Sequence, residues 1–554
     1  MQKKWWGWGA LDKQYPLDAK PEAWPYLKAR LGMTADVERA PVALEDIQIP
    51  QSRLEQAAVD ALVEAVGQMN FSRAGQDRLM HAYGKGYKDL VRLRAGTISN
   101  APDAVVYPNQ EAQVEAVLRL AVEHGFAVIP FGGGTSVVSG LEMPDSQSDR
   151  PFISLDLGRM AEVVSIDLVS QTATVQAGIM GPRLEEALQA QGMTLGHYPQ
   201  SFEFSSLGGW VATRSAGQQS TRYGKIEHMV VALRMVTPTG ILETRPLPAA
   251  AQGPDLNQMA VGSEGLYGVI TQVTVRVHAL PERREYAAML FPSWEAGQKA
   301  LREVLQGERH PATLRLADVA ETQALFKLRE PSRSPVQAWA QRAFKWYAAK
   351  VKDVQMDNAC MLIMGFEGAH EQVEQDRDAI VGTCEQNHGV NLGHGIGESW
   401  YKSRFELPYL RDTLLDRGVL VDTLETSATW EALPALYAAV ISALETAIRA
   451  DGLDPLVYCH VSHPYHVGAS LYFTFMAKQI EGDELAQWTR YKRAASEAIA
   501  ANGGALSHHH GVGLDHAPWA PDALGAEGMR MLRGLKDAVD PAGVMNPGKI
   551  IGTP

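Results

Sequence analysis

Three consecutive glycines, Gly132, Gly133 and Gly134, followed by Thr135 and Ser136, end the apolar run Ala127-Val-Ile-Pro130. Glycine reaches positive φ and has no Cβ, so backbone N–H groups in such a loop can converge on an anion, with the hydroxyls as further donors. A pyrophosphate suits this chemistry; a tight turn between strands is the plain alternative. Two more stretches, Pro199–Gly217 and Gly262–Ile270, are too rich in Ser, Thr and Gly for core strands and too apolar for solvated linkers. Three such stretches suggest one extended ligand wrapped by several loops. Neither GxGxxG nor GxxxxGK[ST] fits the spacing, which disfavours a nicotinamide site and a P-loop, and HExxH and GxSxG are absent.

Groups able to move protons lie farther along. In Ala469-Ser-Leu-Tyr-Phe-Thr-Phe475, strand alternation puts Leu471, Phe473 and Phe475 on one face and Ser470, Tyr472 and Thr474 on the other. Tyr472 is then either exposed or aimed into a site. The adjacent His508, His509 and His510 point different ways, so at most two can serve one site. Gly511 and Gly513 follow at once, as in a backbone bent to deliver side chains, although a solvated loop has the same composition. Arg411 offers a planar fork for a carboxylate or phosphate, unless Asp412 engages it in a surface ion pair.

The elements that must position these groups follow from periodicity. The first hundred residues read mostly helical, with patterned runs such as Leu54–Val66. Strands and helices then alternate: a strand at Ala104–Tyr107, a helix capped by Asn109 and ended by Gly125, and strands at Ala127–Pro130, around Ile153–Leu157 and at Thr172–Gln176. Pro182 opens a further helix. Strand-like pieces at Tyr286–Phe291, Met361–Phe366 and Ala469–Met476 alternate with Ala-rich helices in a second mixed region. The expected division is a helical segment 1–100, a ligand-binding domain 101–282, a cap or substrate domain 283–505, and a closing segment 506–554.

With 554 residues, 45% hydrophobic and 21% charged, the chain has ample core for several domains. Its 51 Lys and Arg against 64 Asp and Glu leave a net charge of −13, which argues against a nucleic-acid partner. Three scattered cysteines, Cys360, Cys384 and Cys459, make neither a disulfide scaffold nor a CxxC zinc site and fit a reducing cytoplasm. The basic pair near Met1 lacks a following apolar run, so no secretory leader is expected, and no uncharged apolar stretch spans a bilayer.

Pro130-Phe-Gly-Gly-Gly-Thr-Ser-Val137, the Gly208-Gly209-Trp210 segment, Gly262-Ser-Glu-Gly265 and Asp540-Pro-Ala-Gly-Val-Met-Asn-Pro-Gly-Lys549 resemble the FAD-binding domain of the vanillyl-alcohol-oxidase flavoprotein superfamily. Within it, Tyr409-Leu-Arg-Asp412, Leu424–Trp430, Leu471–Phe475 and Ser507–Gly513 resemble the alkyldihydroxyacetonephosphate synthase family over nearly the whole chain. The resemblance implies an α+β protein: a helical amino-terminal segment, a FAD-binding domain of that type, and an α+β cap with an antiparallel sheet. It implies FAD, expected to be non-covalent, held by Pro130, Phe131, Gly132, Gly133, Gly134, Thr135 and Ser136. Also implied are Gln200, Ser201, Phe202, Glu203, Phe204, Ser205 and Ser206, then Thr213, Arg214, Ser215 and Ala216. The last group is Glu264, Gly265, Leu266, Tyr267, Gly268, Val269 and Ile270.

The same resemblance implies exchange of the acyl group of an acyl-dihydroxyacetone phosphate for a fatty alcohol through a flavin N5 adduct, without net oxidation. Tyr472 would be the general acid/base, with His508, His509 and His510 catalytic. Arg411, His197 and Arg315 would bind substrate, although a core ion pair explains Arg315 equally well. A free tyrosine titrates near 10, so nearby histidines or cations would have to make it a usable base.

Tyr458-Cys-His-Val-Ser-His-Pro-Tyr-His-Val467 departs from the synthase pattern. Related FAD-linked 2-hydroxy-acid dehydrogenases carry metal-binding histidines in this region. His460, His463, His466 and His509 are therefore candidate ligands of a divalent metal, with ordinary polar loop residues as the alternative. The competing function is a FAD-linked dehydrogenase or oxidase of a 2-hydroxy acid. Residues 334–352 carry four aromatics and several cations but no acid, the composition of an interfacial helix or of a helix over the site. The expected partners are a small-molecule or lipid substrate and, through 334–352, a membrane surface; the location is cytoplasmic or peripheral at the inner face of a membrane. A homodimer is a candidate assembly.

Overall fold

Ala104–Val106 and Ala127–Phe131 both run parallel to Phe152–Asp156, which lies between them, and the short strand Phe71–Ser72 closes one edge antiparallel. These strands are buried on both faces, as their continuous apolar sequence requires. The crossover helix Glu111–His124 connects the first two and stops where Gly125 turns left-handed at φ 73°. Its cap differs from expectation. Gln110 holds that position in an extended conformation and its side chain accepts no capping bond, so the helix begins one residue later than an Asn109 cap would place it. The structure is a computed structural model describing residues 2–328 and 354–552, so the stretch 334–352 lies outside the described residues.

A five-stranded antiparallel sheet follows, ordered Val163–Asp167, Thr172–Gln176, Val269–Arg276, Val230–Thr237 and Gly240–Glu243. The two sheets and the helix Gln56–Val66 share one core, which Val544 and Met545 join from the far end of the chain.

The cap is a seven-stranded antiparallel sheet. Its order is Val390–Gly393, Arg283–Phe291, Cys360–Gly368, Thr313–Ala317, Leu456–Pro464, Gly468–Lys478 and Val419–Thr429. Helices Trp294–Gln306, His370–Gln386, Leu433–Ala450 and Glu484–Ala501 bury apolar stripes on one face, meeting Leu471, Phe473 and Phe475. Each fully buried Leu or Phe there contributes roughly 1.5–3 kcal/mol. Ser470, Tyr472 and Thr474 turn the other way, as alternation predicts.

The sheet's register decides what stands beside what: Tyr472 pairs with Glu425 on one neighbouring strand and with His460 on the other. Among the described residues one helix, Leu433–Ala450, is long and apolar enough to cross a membrane, although it is not an uncharged stretch. It carries Glu445 and Arg449, and its stripe Leu433, Leu436, Val440, Leu444 and Ile448 is buried in the cap core. The three cysteines are free and buried.

Candidate active site

A cavity of about 410 Å³ lies between the loops of the first unit and the open face of the cap sheet. The loop leaving Ala127–Phe131 supplies Pro130, Phe131, Gly132, Gly133, Gly134, Thr135 and Ser136 to its wall. The glycines are required for two different reasons. Gly134 has φ 72°, whereas a Cβ on Gly132 would strike the Ser206 hydroxyl and one on Gly133 the Phe204 carbonyl. Close packing of loop on loop, and not only positive φ, therefore demands them.

Gln200, Ser201, Ser205, Ser206, Thr213, Ser215, Ala216, Glu264, Gly265, Gly268 and Ile270 also line the cavity. Phe202, Glu203, Phe204, Arg214, Leu266, Tyr267 and Val269 do not, which corrects the expected contiguous stretches. Phe202, Phe204, Leu266, Tyr267 and Val269 turn into the cores, and Arg214 bonds outward to Gln258. Gln218, Asn546 and Trp210 line the wall without having been expected. Gln218 Oε1 and Asn546 Oδ1 are buried acceptors with no partner. Exposed backbone, seven hydroxyls and bare acceptors together fit a dinucleotide.

The opposite wall is built from side chains of the cap. Tyr472 Oη donates to Thr423 Oγ1 at 3.1 Å, and its ring stacks on His460 at 5.0 Å and on His509 at 6.0 Å, with His510 edge-on at 5.6 Å. Burial pushes the phenol up to about 12. The expectation that the histidines make Tyr472 a base is thus corrected: burial holds His508 down to about 3 and also lowers His509 and His510, so the imidazoles are neutral.

The histidine loop is pinned at both ends by buried carboxylates. Glu425 accepts the N–H groups of His508, of His509 at 3.1 Å and of His510 at 2.8 Å, and the Ser507 hydroxyl at 2.7 Å. Burial opposes its charge, yet the facing imidazoles and Ser507 hold it well below the ordinary carboxylate value. Glu264 accepts Val512 N–H at 2.5 Å and Gly513 N–H at 2.8 Å, and burial raises its pKa. Glu425 sits within the Leu424–Trp430 motif, yet nothing in sequence spacing assigns it to residues eighty positions away.

His509 and His510 line the cavity, while His508 lies behind them with Nε2 2.6 Å from Tyr465 Oη. The candidate metal ligands are also rearranged. His463, His508 and His509 bring ring nitrogens within 4.8 Å of one another. His460 instead meets Glu321 at 2.9 Å, and His466 is exposed on the turn after its strand.

Arg411 lines the cavity from the helix Leu407–Asp416 and has no ion pair among the described residues; Asp412 pairs with Lys4 instead. Arg315 lines it too and is held at 2.5 Å by Glu321, so it has the ion pair of the alternative reading while facing the cavity. Burial works against the charge of Glu321, but His460 and Arg315 outweigh it and lower its pKa. His197 is off the wall. It is fully buried beneath Trp210, and its Nε2 meets Ser215 at 3.2 Å, so it can touch a ligand only through that serine.

Loops that cradle a dinucleotide on one side, and a cap sheet that presents titratable groups on the other, define a FAD-linked flavoprotein of α+β architecture. Residues 102–245 match the family described as "FAD binding domain", and 280–550 match "FAD linked oxidases, C-terminal domain". More narrowly, the chain belongs to the alkyldihydroxyacetonephosphate synthase family. It is 38% identical over 476 residues to the alkyldihydroxyacetonephosphate synthase of Dictyostelium discoideum, covering 86% of this chain and 77% of that one. It is 34% identical to the enzyme of the same name in Caenorhabditis elegans, covering 100% and 96%. A solved alkyldihydroxyacetonephosphate synthase superposes with TM-score 0.85 at 33% identity over 99% of both chains.

Proposed function

We propose that this protein is a FAD-dependent alkyldihydroxyacetonephosphate synthase, exchanging the acyl group of an acyl-dihydroxyacetone phosphate for a fatty alcohol. The observation that carries the reading is Tyr472 ringed by His460, His509 and His510, opposite the glycine loop, with Arg411, which has no counter-ion among the described residues, lining the same cavity. Segment 101–282 holds FAD, 283–505 the substrate, and 506–554 completes the site. FAD, when bound, supplies the flavin ring at which the exchange takes place. Arg411 engages the phosphate. Tyr472 is the acid/base group: its Oη keeps its proton in the free enzyme and exchanges it with the neutral His509 and His510 beside it, which take a proton and return it. The ester C–O bond breaks, the fatty acid leaves, and the alcohol oxygen bonds to the same carbon after losing its proton to the base. No net oxidation occurs.

Purified yellow protein given hexadecanoyl-dihydroxyacetone phosphate and hexadecanol should release palmitate and form the ether one for one, with the flavin left oxidised. Anaerobic bleaching by a 2-hydroxy acid, without exchange, would overturn the reading. The imidazole trio His463, His508 and His509 favours that second reading, because it could hold a divalent ion beside a hydroxy acid. A cytoplasmic enzyme touching the inner face of a membrane through 334–352, as a homodimer, completes the proposal. Vesicle flotation and light scattering test those two parts.

A further inference from the structure

Residues 2–11 reach the cavity from outside both sheets. Lys4 N–H donates to Gly9 O at 2.9 Å, Leu11 N–H donates to Gln2 O at 2.9 Å, and Lys3 bridges Ala10, so the segment closes on itself. It is locked to the helix Leu407–Asp416. Lys4 Nζ lies 3.1 Å from Asp412 Oδ2, and the same carboxylate accepts Trp8 N–H at 2.9 Å. Gly7 packs against that carboxylate and Gly9, at φ 72°, against the Tyr409 ring, so a Cβ at either position would collide. The helix therefore shows Asp412 and Tyr409 to the segment, and Leu407, Leu410, Arg411 and Leu414 to the cavity.

The Trp8 side chain lines the same cavity, edge-on to Phe204 with centroids 5.9 Å apart. It is 5% exposed, and its Nε1 has no hydrogen-bond partner among the described residues. A buried donor left unmet is costly, and native exceptions call for a cause. Arg411 Nε, on the same wall, is equally bare. Two unmet donors, one of them on a cation without an ion pair among the described residues, suit an anionic oxygen ligand.

We propose that Trp8 is a substrate-binding residue whose indole N–H donates to an oxygen of the phosphate-bearing head that Arg411 engages. The inference rests on the function proposed above. The amino-terminal segment is then part of the active-site wall, and the Lys4–Asp412 pair sets where both donors stand. FAD is the other source of an oxygen acceptor, and the test separates the two.

Flavin-loaded wild type and Trp8→Phe are titrated calorimetrically with hexadecanoyl-dihydroxyacetone phosphate. The variant should bind about tenfold more weakly, the loss expected for one hydrogen bond to a charged group, with flavin occupancy and thermal midpoint unchanged. Equal affinity would overturn the inference alone. Loss of flavin would assign the donor to FAD and overturn it as well. No binding to wild type would overturn the proposed function and this inference with it. Should Trp8→Phe fail to fold, hydrogen exchange on the flavin-loaded wild type reads the same contact: the ligand should slow the amides of residues 2–11, and unaltered exchange there overturns the inference.

Discussion

The two walls of the cavity are made by different physics. The flavin side is mostly backbone. Glycines let one loop lie on another, hydroxyls line the surface, and the groups come from short contiguous stretches. The cap side is made of side chains brought together by sheet register, with Glu425, Tyr472 and His460 abreast on three strands and a histidine loop hung from Glu425. A backbone wall fails when bulk is added. A register-built wall fails when one polar atom is removed.

Breaking each wall in its own way should separate them. The largest effect is expected from Gly133→Val, whose branched side chain would strike the Phe204 carbonyl and part the two loops. FAD binding and all activity should vanish while the cap core stays folded, as flavin absorbance and near-ultraviolet dichroism of the purified variant would report. Retained flavin would mean the loop does not hold it.

Tyr472→Phe removes one hydroxyl and leaves the ring on His460. Its flavin spectrum should be that of wild type, while turnover falls by about 10²- to 10⁴-fold, the usual weight of an acid–base group. Single-turnover kinetics with the true substrate are needed, because slow product release could hide the loss. A decrease below threefold would move the proton to the histidines.

Glu425→Gln keeps the shape but weakens the acceptor for four donors of the histidine loop. Flavin should remain, with turnover down about 10- to 100-fold, as expected when catalytic groups shift by about an ångström. A wild-type rate would show that the loop is held by Glu264 and its glycines alone.

Acid should act on three buried histidines, His197, His508 and His516, none of which lines the cavity. Burial lowers His197 and His508 to about 3 and His516 to about 4, below the ordinary 6.5. The unfolded chain then binds more protons, so the stability is complete above pH 6.5 and is lost as pH falls from there toward those lower values. The loss approaches 1.4 kcal/mol per pH unit for each histidine, at roughly that order of magnitude. Urea titrations at pH 8, 6 and 5 check the slope, and a flat profile would mean these imidazoles are not buried neutral. The smallest effect belongs to His466→Ala. That side chain is exposed and away from the wall, so turnover should change by less than threefold.

Much was legible in the residues themselves. Gly132–Gly134 with Thr135 and Ser136 marks a loop of close backbone approach, which the packing on Ser206 and Phe204 requires. The alternation of Leu471, Phe473 and Phe475 with Tyr472 assigns one face to core and the other to solvent or a site before any fold is known. Short-range stereochemistry is enough for both. It was not enough to say that Phe204 and Tyr267 turn into the cores while their neighbours face the cavity, that of the candidates His460, His463 and His466 only His463 joins the histidine loop, or that His197 stands behind Ser215. Nor does spacing link Glu425 to His509, Glu321 to His460, or Lys4 to Asp412, 408 positions away. Composition and local periodicity act within a few residues, so the sequence by itself determined the elements, the glycine loop and the kinds of chemistry available. Which side chains meet is decided by strand register and by loops packing on loops. These are long-range choices that only the tertiary structure makes.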